Sequence, residues 1–391
     1  MSWVKIFDYE DRILRELEEF LGKERLTRVL RSLTEPGKRY YIRVNTLLCE
    51  PEEVVERLRE RGLKVFRDEV VKEALYFPVK GPNKVPEVEK VVVADKYAAE
   101  SVLQGADLYA PGVLKAEGVR RGDEVNVVSP NGTIVGYGLA EMDGREMTSI
   151  GKGLAVKVLV SRYELPKISE LKEYKEGLIY DQSLPAMITS IVLEPEAGEV
   201  IVDMCAAPGG KATHIAQLVK GRARIYAFDV SGKRVERMMR ELDRLRMRGL
   251  IKVTKADSRY LDVDFPNLKA DKVVLDPPCS SIGVRPKVYD RKSYKDVKAL
   301  MSYQIQFLKV AYSILRKGGT LVYSTCTITL EENERVISYA VNKLGFSIEP
   351  QGMYLAERGL PCLDGYEQLQ RFFPDRFNGP GYFIAKMVKQ S

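Results

Sequence analysis

Histidine occurs once, tryptophan once and cysteine five times in the 391 residues. The lone histidine, His214, excludes any two-histidine metal site and leaves catalysis to carboxylates, thiols, lysine or water. His214 itself is expected to pack on the first turns of a helix. The cysteines, Cys49, Cys205, Cys279, Cys326 and Cys362, are odd in number and widely spaced, which argues against a disulfide framework. None forms a Cys-x-x-Cys pair, so no metal is expected. No run reaches the roughly 18 apolar residues of a membrane span. The start of the chain carries Asp8, Glu10 and Asp11 and lacks an apolar leader stretch. A soluble, cytoplasmic protein is the expectation.

What the sequence has in quantity is charge. Lysine and arginine number 62 against 55 acids, a net +7. Such a surplus favours a polyanionic partner, because cations that neutralise phosphates release counterions. A well-solvated surface would carry the same surplus. The length suits two or three domains and a large core.

Residues 10–33 read as helix, with Ile13, Leu14, Leu17, Phe20 and Leu21 at helical spacing. A strand is expected over Tyr40–Val44 and a helix over Pro51–Gly62, which Pro51 and Glu52 suit as a start. Gly81, Pro82 and Pro86 mark a linker. From about 90 to 163 the pattern turns to short strands. Val125–Val128 and Thr133–Leu139 flank an Asn131-Gly132 hairpin signal, and Gly153–Ser161 alternates again. This part reads as a small β-rich module of barrel type. Beyond it, short apolar strands are expected at Val200–Met204, Arg224–Asp229, Lys252–Ala256, Lys272–Asp276 and Thr320–Ser324. Helices such as Ser231–Arg248 and Tyr303–Leu315 lie between them. Buried strands alternating with helices give an α/β, doubly wound, mainly parallel sheet, with ligands at the strands' carboxyl ends.

The first of these strands runs into Asp203-Met204-Cys205-Ala206-Ala207-Pro208-Gly209-Gly210-Lys211. Small residues let the backbone approach a ligand, and the following helix offers free N–H groups. Cys205 stands where a P-loop needs glycine and Ala212 where it needs Ser or Thr, and no G-x-G-x-x-G is present. The second strand ends in Asp229, with Ser231 and Arg234 following; a carboxylate there accepts ribose hydroxyls. The third ends in Asp257, placed to meet an adenine amino group. Each acid alone could be a helix N-cap. Together with the glycine loop they fit a cofactor with ribose and adenine but no pyrophosphate, namely S-adenosylmethionine.

The fourth strand ends in Asp276-Pro277-Pro278-Cys279 and the fifth in Ser324-Thr325-Cys326. Adjacent strand ends face one crevice, so the two thiols are expected to meet. Carbon 5 of cytosine is too weak a nucleophile to attack a methyl sulfonium. A thiolate added at carbon 6 makes carbon 5 enamine-like, which is covalent catalysis. The thiolate is the reactive form, and a cation such as Lys211 would favour it. Asp276 is expected to bind the base edge.

At these residues the chain resembles the RNA 5-methylcytosine methyltransferases of the Nol1/Nop2/Sun type. The likeness rests on Cys205–Lys211, Asp276–Cys279 and Ser324–Cys326 with Glu331-Glu332-Asn333-Glu334, and on Arg43-Val44-Asn45-Thr46 and Gln182. It implies a Rossmann-like class I methyltransferase domain. It also implies that Cys326 is the nucleophile, that Cys279 assists release, and that Lys211 and Asp276 act at the target base. The β-rich insert resembles a PUA domain through Gly105–Leu108, Ala110–Val113 and Arg120-Arg121-Gly122-Asp123. The combination implies a branch that methylates tRNA near the 3′ end of the acceptor stem. The expected units are a small α+β N-terminal domain at 1–89, a PUA domain at 90–165 and the methyltransferase domain at 166–391. The expected partner is tRNA and not DNA, and the expected state is a monomer.

RNA contacts are expected at Lys115, Arg120 and Arg121 in the insert, and at Arg285, Lys287, Arg291 and Lys292 after the fourth strand. The basic helix 231–248 reads more readily as a solvated amphipathic surface. Two alternatives remain: an RNA methyltransferase aimed at another atom, and an RNA-binding assembly factor that has lost activity.

Overall fold

The computed structural model describes residues 6–390. Its largest sheet has the strand order Ile251–Lys255, Arg224–Asp229, Val200–Asp203, Ala270–Leu275, Leu315–Thr325, Tyr382–Lys389, Gln370–Phe372, Glu357–Arg358. The first five strands pair in parallel and Tyr382–Lys389 joins antiparallel. Alternation decides the layers, because neighbouring strand residues face opposite sides. Ile201, Val274, Val322 and Ile384 pack with Ile188, Ile215 and Met238 on one face. Val202, Val273, Leu321 and Phe383 pack with Leu308, Ala311 and Val336 on the other. Helices therefore cover both faces, as expected for a doubly wound sheet. Strand order reverses between Val200–Asp203 and Ala270–Leu275, which opens a crevice at their carboxyl ends.

A six-stranded sheet forms the β-rich insert. Its two edge strands, Leu108–Tyr109 and Val113–Lys115, are separated in sequence only by Ala110–Gly112. The sheet must curl to bring its edges together, giving the expected barrel. The Asn131-Gly132 turn joins Glu124–Val128 to Ile134–Ala140, with Gly132 at φ 81°.

A four-stranded sheet is built on Arg39–Val44. Ile179–Asp181 pairs with that strand, so chain from beyond the insert completes it. The expected single helix over 10–33 is two, Asp11–Leu21 and Lys23–Leu33, broken at Gly22 with φ 73°. Their apolar faces pack on Ile282, Val297, Ile328 and Leu330, beside the crevice. The helix expected from Tyr303 begins at Tyr294, capped by Ser293, which accepts from the Asp296 N–H at 3.1 Å.

Among the described residues no helix is long and apolar enough to cross a membrane, and no acidic, histidine or cysteine cluster could hold a metal.

Candidate active site

The strand ends deliver the two thiols to one place. Cys279 follows Ala270–Leu275, Cys326 follows Leu315–Thr325, and these strands are hydrogen-bonded neighbours. Their sulfurs lie 3.4 Å apart. Ser281 Oγ sits 3.5 Å from Cys326 Sγ and 3.9 Å from Cys279 Sγ. The contact makes the pair unequal. The Cys279 S–H stabilises charge on Cys326, with further help from Ser281 and the Lys211 ammonium, and the Cys326 pKa is lowered despite burial. Cys279 is pushed well up, by the same contact and by burial. One sulfur is thus poised as thiolate and the other as thiol.

Lys211, on the helix Gly210–Leu218, is ion-paired to Asp276. Burial opposes the lysine's charge, but Asp276 and the neighbouring Tyr382 ring raise its pKa above the ordinary value.

A cleft of about 280 Å³ opens over these groups. Of the cofactor residues expected from sequence, Cys205, Ala207, Asp229, Arg234, Asp257 and Asp276 line it, together with Val230, Pro278 and Phe307. Ala206 and Gly209 lie in the turn that leads into the helix, Gly210 and Lys211 are its first residues, and Pro208 faces a different cavity. Gly209 needs its left-handed φ of 111°, and a Cβ there would lie 3.2 Å from Met238. Asp229 accepts from the N–H groups of Ala207 and Ser231 at 3.3 and 3.0 Å and pairs with Arg234 at 2.7 Å. Asp257 is held by Arg259 at 2.5 Å.

Asp203 is not among the cofactor residues expected from sequence. Its carboxyl is fully buried, one oxygen lacks a partner, and burial drives its pKa up to about 7. An unpartnered acidic oxygen beside the glycine turn, two acids farther along and an apolar stretch between them suit the amine, ribose and adenine of S-adenosylmethionine. The residues present therefore fit that cofactor.

Cys326 also lines a second, more apolar cavity of about 300 Å³. Tyr40, Tyr41, Asp181, Arg285 and Tyr382 form its walls. The nucleophile candidate thus stands where the two hollows meet.

Residues that entered only through family likeness acquire physical roles here. Arg43 is fully buried and donates to Gln182 Oε1 at 2.5 Å, Gly210 O at 2.7 Å and Thr213 Oγ1 at 2.8 Å. Asn45 donates to Gly177 O and Leu245 O at 3.1 and 3.0 Å. Glu334 forms a buried ion pair with Arg371. His214 is fully buried, with Nε2 2.6 Å from Glu73 Oε1, and burial lowers its pKa to about 4. It packs, as expected.

Two of the expected RNA contacts need correction. Lys287 is buried, 3.2 Å from Asp290, and donates to Ser281 O at 3.0 Å. Arg285 donates to the backbone carbonyls of Glu35, Pro36, Pro374 and Gly379 at 2.7–3.3 Å. Both are internal struts with little left for a phosphate. Lys115, Arg120, Arg121 and Arg291 are exposed, and Lys292 is half-buried with Asp290 at 3.6 Å. Tyr97 and Tyr109 are 75% and 57% exposed on the insert.

The chain is similar to known proteins over nearly its whole length. The family described as 16S rRNA methyltransferase RsmB/F matches residues 190–388, and the PUA domain matches residues 90–160. A tRNA (cytosine(72)-C(5))-methyltransferase of Pyrococcus horikoshii is 44% identical, with 98% of each chain covered. Human NSUN6, of the same description, is 30% identical over 96% of this chain and 94% of its own. The crystal structure of NSun6 from Pyrococcus horikoshii with SFG superposes with a TM-score of 0.90 at 43% identity, covering 98% of this chain and 99% of that one. The chain belongs to the RsmB/F, or Nol1/Nop2/Sun, family of S-adenosylmethionine-dependent RNA cytosine-C5 methyltransferases and carries a PUA domain.

Proposed function

We propose that this enzyme methylates carbon 5 of a cytosine in tRNA near the 3′ end of the acceptor stem, at position 72 as in its named relatives, through a covalent bond from Cys326 to carbon 6. The observation that carries this reading is the 3.4 Å sulfur pair at the junction of two cavities. The cleft over Asp229 and Asp257 is assigned to S-adenosylmethionine, for which SFG is an analogue in the related structure. When bound, the cofactor supplies an electrophilic methyl group. The cavity walled by Tyr40, Tyr41 and Tyr382 takes the target base.

Cys326 attacks carbon 6 as thiolate, and the electron pair displaced along the ring makes carbon 5 nucleophilic. Asp276, with Lys211 fixed beside it, hydrogen-bonds the base edge as charge shifts. After methyl transfer, the carbon 5 proton passes to water, its C–H electron pair re-forms the double bond to carbon 6, and the bond from carbon 6 to sulfur breaks to release the Cys326 thiolate. Cys279, held as a thiol against that sulfur, assists the departure. A base within a stem must first be unpaired at a cost of about a few kcal/mol, least at a helix end, which suits a target near a terminus.

We assign the units 1–89, 90–165 and 166–391 to N-terminal, PUA and methyltransferase domains, with Ile179–Asp181 of the last completing the sheet of the first. Tyr97, Tyr109, Lys115, Arg120 and Arg121 of the PUA domain contact tRNA, together with Arg291 and Lys292. The working form is a cytoplasmic monomer. The test is nucleotide-resolution mapping of 5-methylcytosine on tRNA treated with protein and cofactor. A different modified base refutes the chemistry, and a site far from the acceptor end refutes the substrate assignment.

A further inference from the structure

The two thiol-bearing turns belong to different strands, and no covalent link fixes their separation. A single buried carboxylate joins them. Glu332 has no exposed surface, and four donors fill its acceptor capacity. The Ser280 N–H donates to Oε1 at 2.8 Å and the Ser280 hydroxyl to Oε2 at 2.5 Å. Thr329 Oγ1 donates to Oε2 at 2.9 Å and Gln304 Nε2 to Oε1 at 3.1 Å. Ser280 directly follows Cys279, and its hydroxyl also meets Thr327 Oγ1 at 2.7 Å, the residue directly after Cys326. Gln304 Nε2 additionally donates to Pro278 O at 3.0 Å, just before Cys279. Asn333, the next residue, accepts from Thr325 Oγ1 at 2.6 Å and donates to Thr327 O at 3.1 Å, bracketing Cys326.

We propose that Glu332 is a positioning residue that sets the distance between the two sulfurs, clamping the Pro278–Ser280 turn to the strand end at Thr325–Thr327. The inference rests on the reading of Cys326 as nucleophile and adds to it the device that keeps its activating partner in reach. Thiol hydrogen bonds are weak, so the S–H of Cys279 influences Cys326 only while the turns are held together. Glutamine at 332 would place an NH₂ group against hydrogen-bond donors and release one of the two turns.

Other charged and titratable groups around the thiols are Asp276 and Lys211 on the cofactor side, Tyr323 beneath, and Tyr382, Asp181 and Arg285 around the second cavity. Against this background Glu332→Gln separates two modes of action by sign. Acting through its negative charge, Glu332 would raise thiol pKa values, and its loss would lower that of Cys326. Acting as a clamp, its loss removes the Cys279 donor and raises it.

The experiment follows iodoacetamide alkylation of Cys326, mapped by mass spectrometry, across pH in the full-length protein without RNA or cofactor. Glu332→Gln is expected to move the profile up by about one pH unit and to slow RNA adduct formation about tenfold near neutrality. Ser280→Ala, a gentler change, is expected to shift it the same way, and the double variant no further than the larger single shift. Glu331→Gln, whose carboxylate pairs with Arg335 instead, is expected to leave the profile in place. A downward shift, or no shift in both Glu332→Gln and Ser280→Ala, overturns the clamp. If Cys279→Ala protein, in which the adduct should persist, forms none at Cys326, the proposed function falls, while the alkylation profile still reports on the clamp.

Discussion

Replacing Cys279 by alanine is expected to do two opposite things at once. The Cys279 thiol lies 3.4 Å from Cys326 Sγ and is the strongest influence holding the Cys326 pKa down. A hydrogen bond to a charged group contributes about 1.5–3 kcal/mol, and about 1.4 kcal/mol corresponds to one pKa unit. Loss of the donor therefore raises the Cys326 pKa. Near neutral pH the thiolate fraction, and with it the rate of attack, falls by about tenfold to a hundredfold. The sign follows from the thiol being charged only above its pKa, so raising the pH restores the rate. The same substitution removes the group placed to assist departure of Cys326, so the adduct that forms persists. Labelled tRNA incubated with cofactor and Cys279→Ala protein should give a slow, high-yield band on a denaturing gel, with faster onset at higher pH. Cys326→Ala should give none. A band from Cys326→Ala and none from Cys279→Ala at any pH would show that the roles are reversed.

Asp203→Asn is expected to stabilise the cofactor-free protein above neutral pH, by on the order of 1–4 kcal/mol. The native state holds a proton on Asp203 up to about pH 7 that the unfolded chain releases near 4, so stability falls as pH rises between them. Melting curves near pH 5 and pH 8 check this, and an equal effect at both excludes titration of this group; cofactor affinity should fall in the same variant. Arg371→Met strands the buried Glu334 carboxylate and should cost about 3–5 kcal/mol in urea unfolding, whereas a loss below about 1 kcal/mol would mean that the pair relaxes. Tyr97→Ala combined with Tyr109→Ala should weaken tRNA binding about tenfold or more, each stacked base contributing about 1–3 kcal/mol, with cofactor binding unchanged. Unchanged tRNA affinity would move the RNA to another face.

The sheet was readable because its five parallel strands are short apolar runs, and the thiol pair followed from their adjacency. Tyr382–Lys389 escaped notice although Tyr382-Phe383-Ile384-Ala385 carries the same apolar signal; no turn or chemistry drew attention to it. The start of the helix at Tyr294 was hidden because Lys295, Asp296 and Lys298 blur its apolar period. Gly22 broke one expected helix into two at a left-handed φ that the apolar spacing does not register. Within the site, Cys279, Cys326, Asp276 and Lys211 lie together as their positions at strand ends require. Arg285 and Lys287 looked like phosphate ligands because charge reads as surface, yet carbonyls from distant segments surround Arg285 and the nearby Asp290 holds a buried Lys287. Glu332 carries no distinguishing signal in the sequence, since only the folded chain brings Ser280, Gln304 and Thr329 to one carboxylate.

One strand of the four-stranded sheet lines one hollow and is anchored to the helix that follows the other's glycine turn. Arg39–Val44 presents Tyr40 and Tyr41 to the cavity assigned to the base. Three residues after Tyr40, Arg43 bolts the same strand to Gly210 and Thr213 in the helix after the glycine turn. The wall of the cavity assigned to the base and the helix behind the glycine turn are therefore tied through one guanidinium. Loosening this rivet is expected to uncouple the affinities for the two substrates.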